Sequence, residues 1–282
     1  MKTDITKFWR NSFLVLLGYF SLFRIIFLIL NICDKSIPIH TYLIALLHGI
    51  RFDISTLAFL IIPIWLLLLL VSFPLFNGRL NQTFRLLLNG YYFIVIPLAT
   101  IIYIFDTGFF WEYSTRINYL AFEYLDYMDT IIGTIITQFP YNILLFSIPL
   151  FIYLEIKFLH KKFKNIPVPE FTKFSQWGGF FLISSIILII FLRGGFQNKP
   201  LNWSHSNFSS FRFTNDLAVN PIWNLGNTCK SYLKEKSISQ LANVKITLNE
   251  SLQLARYKIT NTNSQFLKDD FPFLRNSISN NE

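Results

Sequence analysis

Charge is scarce in this sequence, and negative charge scarcest. Only 15% of its 282 residues are charged, with Asp plus Glu numbering 16 against 25 Lys plus Arg. A soluble domain carries about 25% charged residues, so an ordinary water-soluble enzyme is a poor fit. Cysteine is nearly absent. Cys33 and Cys229 are the only two, with no CxxC and no ligand spacing, which excludes a disulfide-dense scaffold and a thiolate metal site. A Cys33–Cys229 disulfide and two free thiols both remain open. No HExxH, GxSxG, Walker loop or CxxC occurs, and His40, His160 and His205 stand alone. No catalytic constellation is visible. The formal net charge of +9 is accompanied by no nucleic-acid-binding motif. No small-residue cleavage site follows the first apolar stretch, so that stretch reads as an uncleaved span rather than a signal peptide.

What is present is apolar. Hydrophobic residues make up 52% of the chain, and Phe alone numbers 32. Runs near the length needed to cross a hydrocarbon core, about 20 residues, fall at about Ser12–Ile32, Phe52–Phe73, Leu86–Phe105, Tyr141–Ile156 and Trp177–Leu192. Arg24 lies inside the first, which requires it to face protein or to snorkel. The stretch Tyr42–Phe73 would be roughly 50 Å long as one straight helix. It is interrupted by His48-Gly49-Ile50-Arg51-Phe52-Asp53, and the reading splits it there into a short helix, Tyr42–Gly49, and a span kinked at Pro63. Asn118–Gln138 has helical spacing and could pass for a sixth span, but carboxylates in its first half favour an interfacial amphipathic helix.

The positive charges are asymmetric. One side of the membrane collects Lys2, Lys7, Arg10, Arg79, Arg85, Lys157, Lys161, Lys162, Lys164 and Lys173, and the short loops of the other collect Lys35 and Arg116. The positive-inside rule then places the N-terminus in the cytoplasm and everything after Arg193 outside. Trp9, Trp111 and Trp177 sit at span ends, as an aromatic belt requires. Beyond Phe196 the chain turns rich in Asn, Ser and Thr. Asn215–Lys234 could form one helix, and Thr247 with Glu250 fits a capping box opening another. The expected fold is an all-α membrane protein with about five transmembrane helices, an outer interfacial amphipathic helix and an extracytoplasmic helical or irregular tail. Residues 1–196 would be the membrane domain and 197–282 an extracytoplasmic linker.

Two clusters could carry function. His48, Arg51 and Asp53 are ionisable groups near span depth, which marks either a lipid-headgroup contact or a self-neutralising structural cluster. Arg51 and Asp53 are two residues apart and would face each other only at a break, for which Gly49 supplies the freedom. Glu123, Asp126 and Asp129 recur every three residues and could bind a divalent cation, hold a partner domain or form a solvated polar face.

The segment Arg193-Gly-Gly-Phe-Gln-Asn-Lys-Pro-Leu-Asn-Trp-Ser-His205, continuing through Phe213-Thr-Asn-Asp-Leu-Ala-Val-Asn-Pro-Ile-Trp-Asn-Leu225, resembles the stretch after the last span in membrane-anchored sulfatase-like proteins of the lipoteichoic acid synthase family. Gly49-Ile-Arg-Phe-Asp53, the span count and the acidic helix look like that family as well, so the resemblance covers nearly the whole chain. It implies a five-span membrane domain joined by a helical linker to an extracytoplasmic sulfatase-like domain. That domain uses a metal ion and a nucleophilic Thr for phosphoglycerol transfer or ester hydrolysis. Nothing here matches that nucleophile or those ligands. The implied part is therefore the anchor and linker, as a fragment, a split-gene half or a truncated protein. It would have no cofactor of its own, since a Mn or Mg ion would belong to the missing domain, and would be inactive alone. Expected partners are membrane lipids and a sulfatase-like domain encoded downstream or separately, with no nucleic acid. The expected location is a bacterial cytoplasmic membrane. A stand-alone transporter or lipid-binding membrane protein is the alternative.

Overall fold

A computed structural model describes residues 2–32, 36–76, 80–163, 167–169, 171, 173–241, 248–259, 264–266 and 275–277. It has five helices long and apolar enough to cross a membrane. They lie in α1 (Lys2–Asn31), α2 (Ile39–Val71), α3 (Asn81–Tyr113), α6 (Tyr141–Phe163) and α7 (Phe174–Arg193). Between α3 and α6 lie α4 (Leu120–Glu123) and α5 (Met128–Thr137). After α7 come α8 (Arg212–Ala218), α9 (Pro221–Leu241) and α10 (Leu248–Ile259). The chain divides into two compact units, Met1–Tyr232 and Leu233–Glu282. The first unit thus runs past the composition change near residue 196. In the second, Ser264–Phe266 pairs antiparallel with Arg275–Ser277, a short ladder that the sequence reading did not expect.

α2 is the central element and packs against α1, α3, α7 and α8, while α6 lies against α3. One core, at the end of the bundle where the short basic loops gather, joins Ile64, Leu68, Val71, Phe84, Leu88, Tyr92, Ile96 and Phe181. A second, mid-bundle, joins Phe20, Phe23, Leu57 and Tyr103. The opposite end, called here the tail end, is closed by residues 194–224 folding back. There Leu217 packs on Phe27, Ile37 and Tyr42, and Trp223 and Val219 pack on Phe52.

α2 runs unbroken through His48–Asp53 for 33 residues, so the expected split at Gly49–Phe52 does not occur. The glycine serves a close approach instead of a kink. A Cβ at Gly49 would overlap the Arg24 guanidinium, which rests on the bare helix surface and takes the Gly49 carbonyl as an acceptor. The helix also continues through Pro63, as lipid-embedded helices tolerate. Asn118–Gln138 is not one helix either. A 3₁₀ turn at Tyr124–Tyr127 separates α4 from α5, and ring pairs flank the change, Tyr113–Tyr124 at 5.5 Å and Phe122–Tyr232 at 5.1 Å. The expected helix from Asn215 to Lys234 is likewise two. α8 ends before Val219 and Asn220, and α9 restarts with Pro221 in its first turn, where a missing N–H costs nothing. Thr247 of the expected capping box and Cys33 lie outside the described residues. Cys229 is a free thiol.

Candidate functional site

The buried ion pairs of the spans meet at the tail end. Asp53, on the inward face of α2, is fully buried. Its partner is Arg24 of α1, through an Nη2–Oδ1 ion pair. The same guanidinium donates to the Gly49 carbonyl at 3.0 Å, to the Leu217 carbonyl and to the Ala218 carbonyl at 2.7 Å. These last two belong to the final turn of α8, whose carbonyls have no acceptor duty within the helix. One arginine therefore ties α1, α2 and the returning tail together. Of the two ways open to Arg24, facing protein or snorkelling, it faces protein.

Asn220 completes this layer. Its Nδ2 donates to Asp53 Oδ1 at 2.8 Å and to the Tyr103 hydroxyl of α3 at 2.8 Å. Its Oδ1 accepts from the amides of Ile222 at 2.9 Å and Trp223 at 3.3 Å. That is an N-cap on α9, the role in which Asn is favoured. The Asn-Pro pair thus starts a helix with one side of the amide and binds the bundle with the other.

A second ion pair lies beside the first. Asp106 of α3 and Arg116 pair through Oδ2 and Nη1, both buried. Asp106 Oδ1 accepts from the Ile117 amide at 3.1 Å. Arg116 Nε donates to the Asp216 carbonyl at 3.0 Å, and its guanidinium carbon stands 3.6 Å from the centre of the Phe27 ring, a cation–π contact. Asn224 then donates to the Ile117 carbonyl at 2.5 Å and accepts from the Trp203 indole at 2.7 Å. Two carboxylates and two guanidiniums neutralise each other, and the arrangement holds no nucleophile beside a base. It is a clasp. Asp53 Oδ2 and Arg24 Nε are buried without a hydrogen-bond partner among the described residues. Asp216, at the clasp's edge, has its carboxyl pushed up to about 6 by burial, with Arg116 and Arg212 acting in the opposite direction.

The three residues singled out near span depth do not act together. In an unbroken helix each residue turns about 100°, so Arg51 and Asp53 point to nearly opposite sides. Arg51 reaches α7's closing loop, donating from Nε to the Gly194 carbonyl at 3.2 Å and from Nη2 to Gln197 Oε1 at 3.2 Å. His48 stacks on Phe208, centroids 4.7 Å apart and planes at 22°, with Nδ1 unpartnered among the described residues. The acidic series is split as well. Glu123 ends α4 and Asp129 lies in α5, both exposed, and the side chain of Asp126 lies outside the described residues. Among the described residues no three His, Cys, Asp or Glu side chains gather as metal ligands.

Two acids within spanning helices were not singled out, Asp106 of α3 and Glu155 of α6. Glu155 of α6 accepts from the Thr100 hydroxyl of α3, which lies 2.6 Å from the Tyr19 hydroxyl of α1. A lone acid within an apolar run was the available signal. The clasp residues of the tail were missed for another reason, since Asn220, Asn224 and Leu217 read locally as turn and helix residues.

No family model, curated protein or solved structure matches the chain.

Proposed function

We propose that this chain is the membrane anchor and linker of a lipoteichoic acid synthase-like phosphoglycerol transferase or sulfatase, holding a catalytic domain that the chain does not contain on the extracytoplasmic side of a bacterial cytoplasmic membrane. The observation that carries the reading is the clasp. The segment Arg193–Leu225, which bears the resemblance, is the one folded back and locked to α1, α2 and α3 through Leu217, Ala218 and Asn220, and to Ile117, just after α3, through Asn224. A linker that only tethered a soluble domain would need no buried ion pairs. One clamped to the bundle starts the following chain from a fixed point, which suits a catalytic domain working at a set height above the membrane. The asymmetry of Lys and Arg supports a cytoplasmic N-terminus. The unbroken course of α2 removes the broken helix on which a transporter pathway through His48–Asp53 would rest.

Two measurements test this. Reporters fused after Lys161 and after Asn202 should read cytoplasmic and extracytoplasmic respectively, and the same side for both would overturn the topology. The purified chain should neither transfer phosphoglycerol nor hydrolyse phosphate or sulfate esters with added Mn²⁺ or Mg²⁺. When it is joined at its C-terminus to a sulfatase-like domain of that family, membrane-bound activity should appear and should fall when Asp53→Ala opens the clasp. Metal-dependent turnover by the chain alone, or activity indifferent to the clasp, would sink the proposal.

A further inference from the structure

α7 sets a depth scale for the tail end. Its 20 residues, Phe174–Arg193, rise about 30 Å at 1.5 Å each, the thickness of a hydrocarbon core. Lys173 precedes it and Arg193 closes it, so its ends mark the two polar boundaries. Arg51 lies level with the closing end. It donates to the Gly194 carbonyl, and one turn further along α2 the Ser55 hydroxyl donates to the Leu192 carbonyl at 3.0 Å. Arg51 and Arg193 therefore stand where a bilayer carries its headgroup phosphates, whichever end faces the cytoplasm.

Their partners among the described residues are all neutral. Arg51 donates to the Gly194 carbonyl and the Gln197 side-chain oxygen. Arg193 Nη2 donates to the carbonyls of Gln197 and Asn198, both at 3.0 Å. Among the described residues the ion pairs are Arg24–Asp53, Arg116–Asp106 and Arg212–Asp216, and none includes either of these two. The contrast with the clasp is direct. There each buried guanidinium has a carboxylate, while here two half-buried guanidiniums share one glutamine and no counter-charge. Gln197 is itself fixed by donating from Nε2 to the Arg193 carbonyl at 2.6 Å. Gly195 makes that possible, because its φ of 131° suits glycine and a Cβ would stand 2.8 Å from Gln197 Oε1. Phe196, between Gly195 and Gln197 in sequence, is 87% exposed.

Guanidinium groups are suited to bidentate binding of phosphate oxygens. We propose that Arg51 and Arg193, set by Gln197, form a binding site for a phosphate oxyanion, with a phospholipid headgroup as its source. The boundary depth and the exposed Phe196 favour a ligand that is charged at one end and apolar at the other over free phosphate.

The test uses the full chain in phosphate-free detergent. It is titrated with phosphatidylglycerol, with diacylglycerol of the same acyl chains and with inorganic phosphate. The unfolding midpoint is followed, and retained lipids are counted by native mass spectrometry. Phosphatidylglycerol should raise the midpoint and be retained, and diacylglycerol should do neither. Arg51→Gln and Arg193→Gln should each lose at least three-quarters of the retained lipid, Arg193→Lys should keep more than half, and Lys230→Gln, an exposed cation of α9, should keep all of it. The retained-lipid count stays readable if Arg51→Gln weakens the fold. A response to inorganic phosphate as large as to lipid, and lost in Arg193→Gln, would uphold the oxyanion site and overturn its lipid source. An equal response to diacylglycerol, no response to any phosphate, or retention that survives both Gln variants would overturn the site.

Discussion

α2 and α6 are both apolar enough to span a membrane, yet they are used differently. The most apolar window of α2 has mean hydropathy 2.7 and is 39% buried within the protein, while that of α6 has 1.4 and is 0% buried. Hydropathy alone does not predict that contrast. In lipid an apolar side chain gains little by leaving acyl chains for protein, so helix association depends on close packing and polar contacts. α2 has both. Thr41, Asp53, Ser55 and Thr56 are buried along it, and Gly49 admits a guanidinium to its surface. α6 is held to α3 at Glu155 and, at its first residue, by the Tyr141 hydroxyl donating to Glu112 at 2.6 Å, and it presents Ile143, Phe146, Leu150 and Tyr153 outward. Polar residues inside the spans decide which helix becomes the centre.

Removing the α2 hold tests this most severely. Asp53→Ala strands the Arg24 guanidinium, and breaking a buried ion pair costs about 3–5 kcal/mol. Unfolding by SDS in bicelles should show a loss of that size. Adding Arg24→Met should recover part of it, but not all, because the Leu217 and Ala218 carbonyls then lack a donor. An Asp53→Ala variant as stable as the parent would remove the basis of the comparison.

The clasp's edge should respond to pH. Burial lifts Asp216 from an ordinary 3.8 to about 6 in the folded protein. Between those values the folded form binds more protons than the unfolded one, so stability falls as pH rises through the window. The effect is on the order of 2–3 kcal/mol across it. Asp216→Asn should flatten the profile between pH 4 and about 6 and leave the protein more stable than the parent at pH 8. A parent profile that rises over the same range would show that Asp216 is not buried as described.

Gly49→Ala sets two effects against each other. Alanine improves helix propensity by about 1 kcal/mol, whereas overpacking against Arg24 costs about 1–3 kcal/mol. A net loss of roughly 1 kcal/mol is expected, and a gain would mean that Arg24 moves away freely. The smallest effect belongs to α6. Phe146→Ala changes a side chain that is 72% exposed, and its cost should stay within about 0.5 kcal/mol, as for surface positions generally. A loss of several kcal/mol there would mean that a further protein surface covers α6.

Some of this could be read from the residues. That Arg24 must face protein or snorkel followed from the cost of a charge in lipid, and the spans followed from apolar runs. The error at Gly49 came from weighing a glycine by its backbone freedom when its missing side chain was what mattered. The false pairing of Arg51 with Asp53 came from seeking partners nearby in sequence. Asp53 finds Arg24 on another span and Asn220 far along the chain, and no local pattern contains that distance. The single helix expected over Asn118–Gln138 followed the periodicity, but Tyr232 stacks on Phe122 just before the 3₁₀ turn and Tyr113 on Tyr124, the turn's first residue.

The sequence by itself determined that the chain is an all-α membrane protein with five spans, because a hydrocarbon core demands about 20 apolar residues in a self-satisfied helix. That demand is local, so it is written locally. Only the tertiary structure decided that α2 is central, that Arg24 and Arg116 clamp the returning tail, and that Arg51 and Arg193 are left with neutral partners. Those outcomes depend on which polar groups meet across helices, and a buried charge takes whichever partner the packing brings within reach.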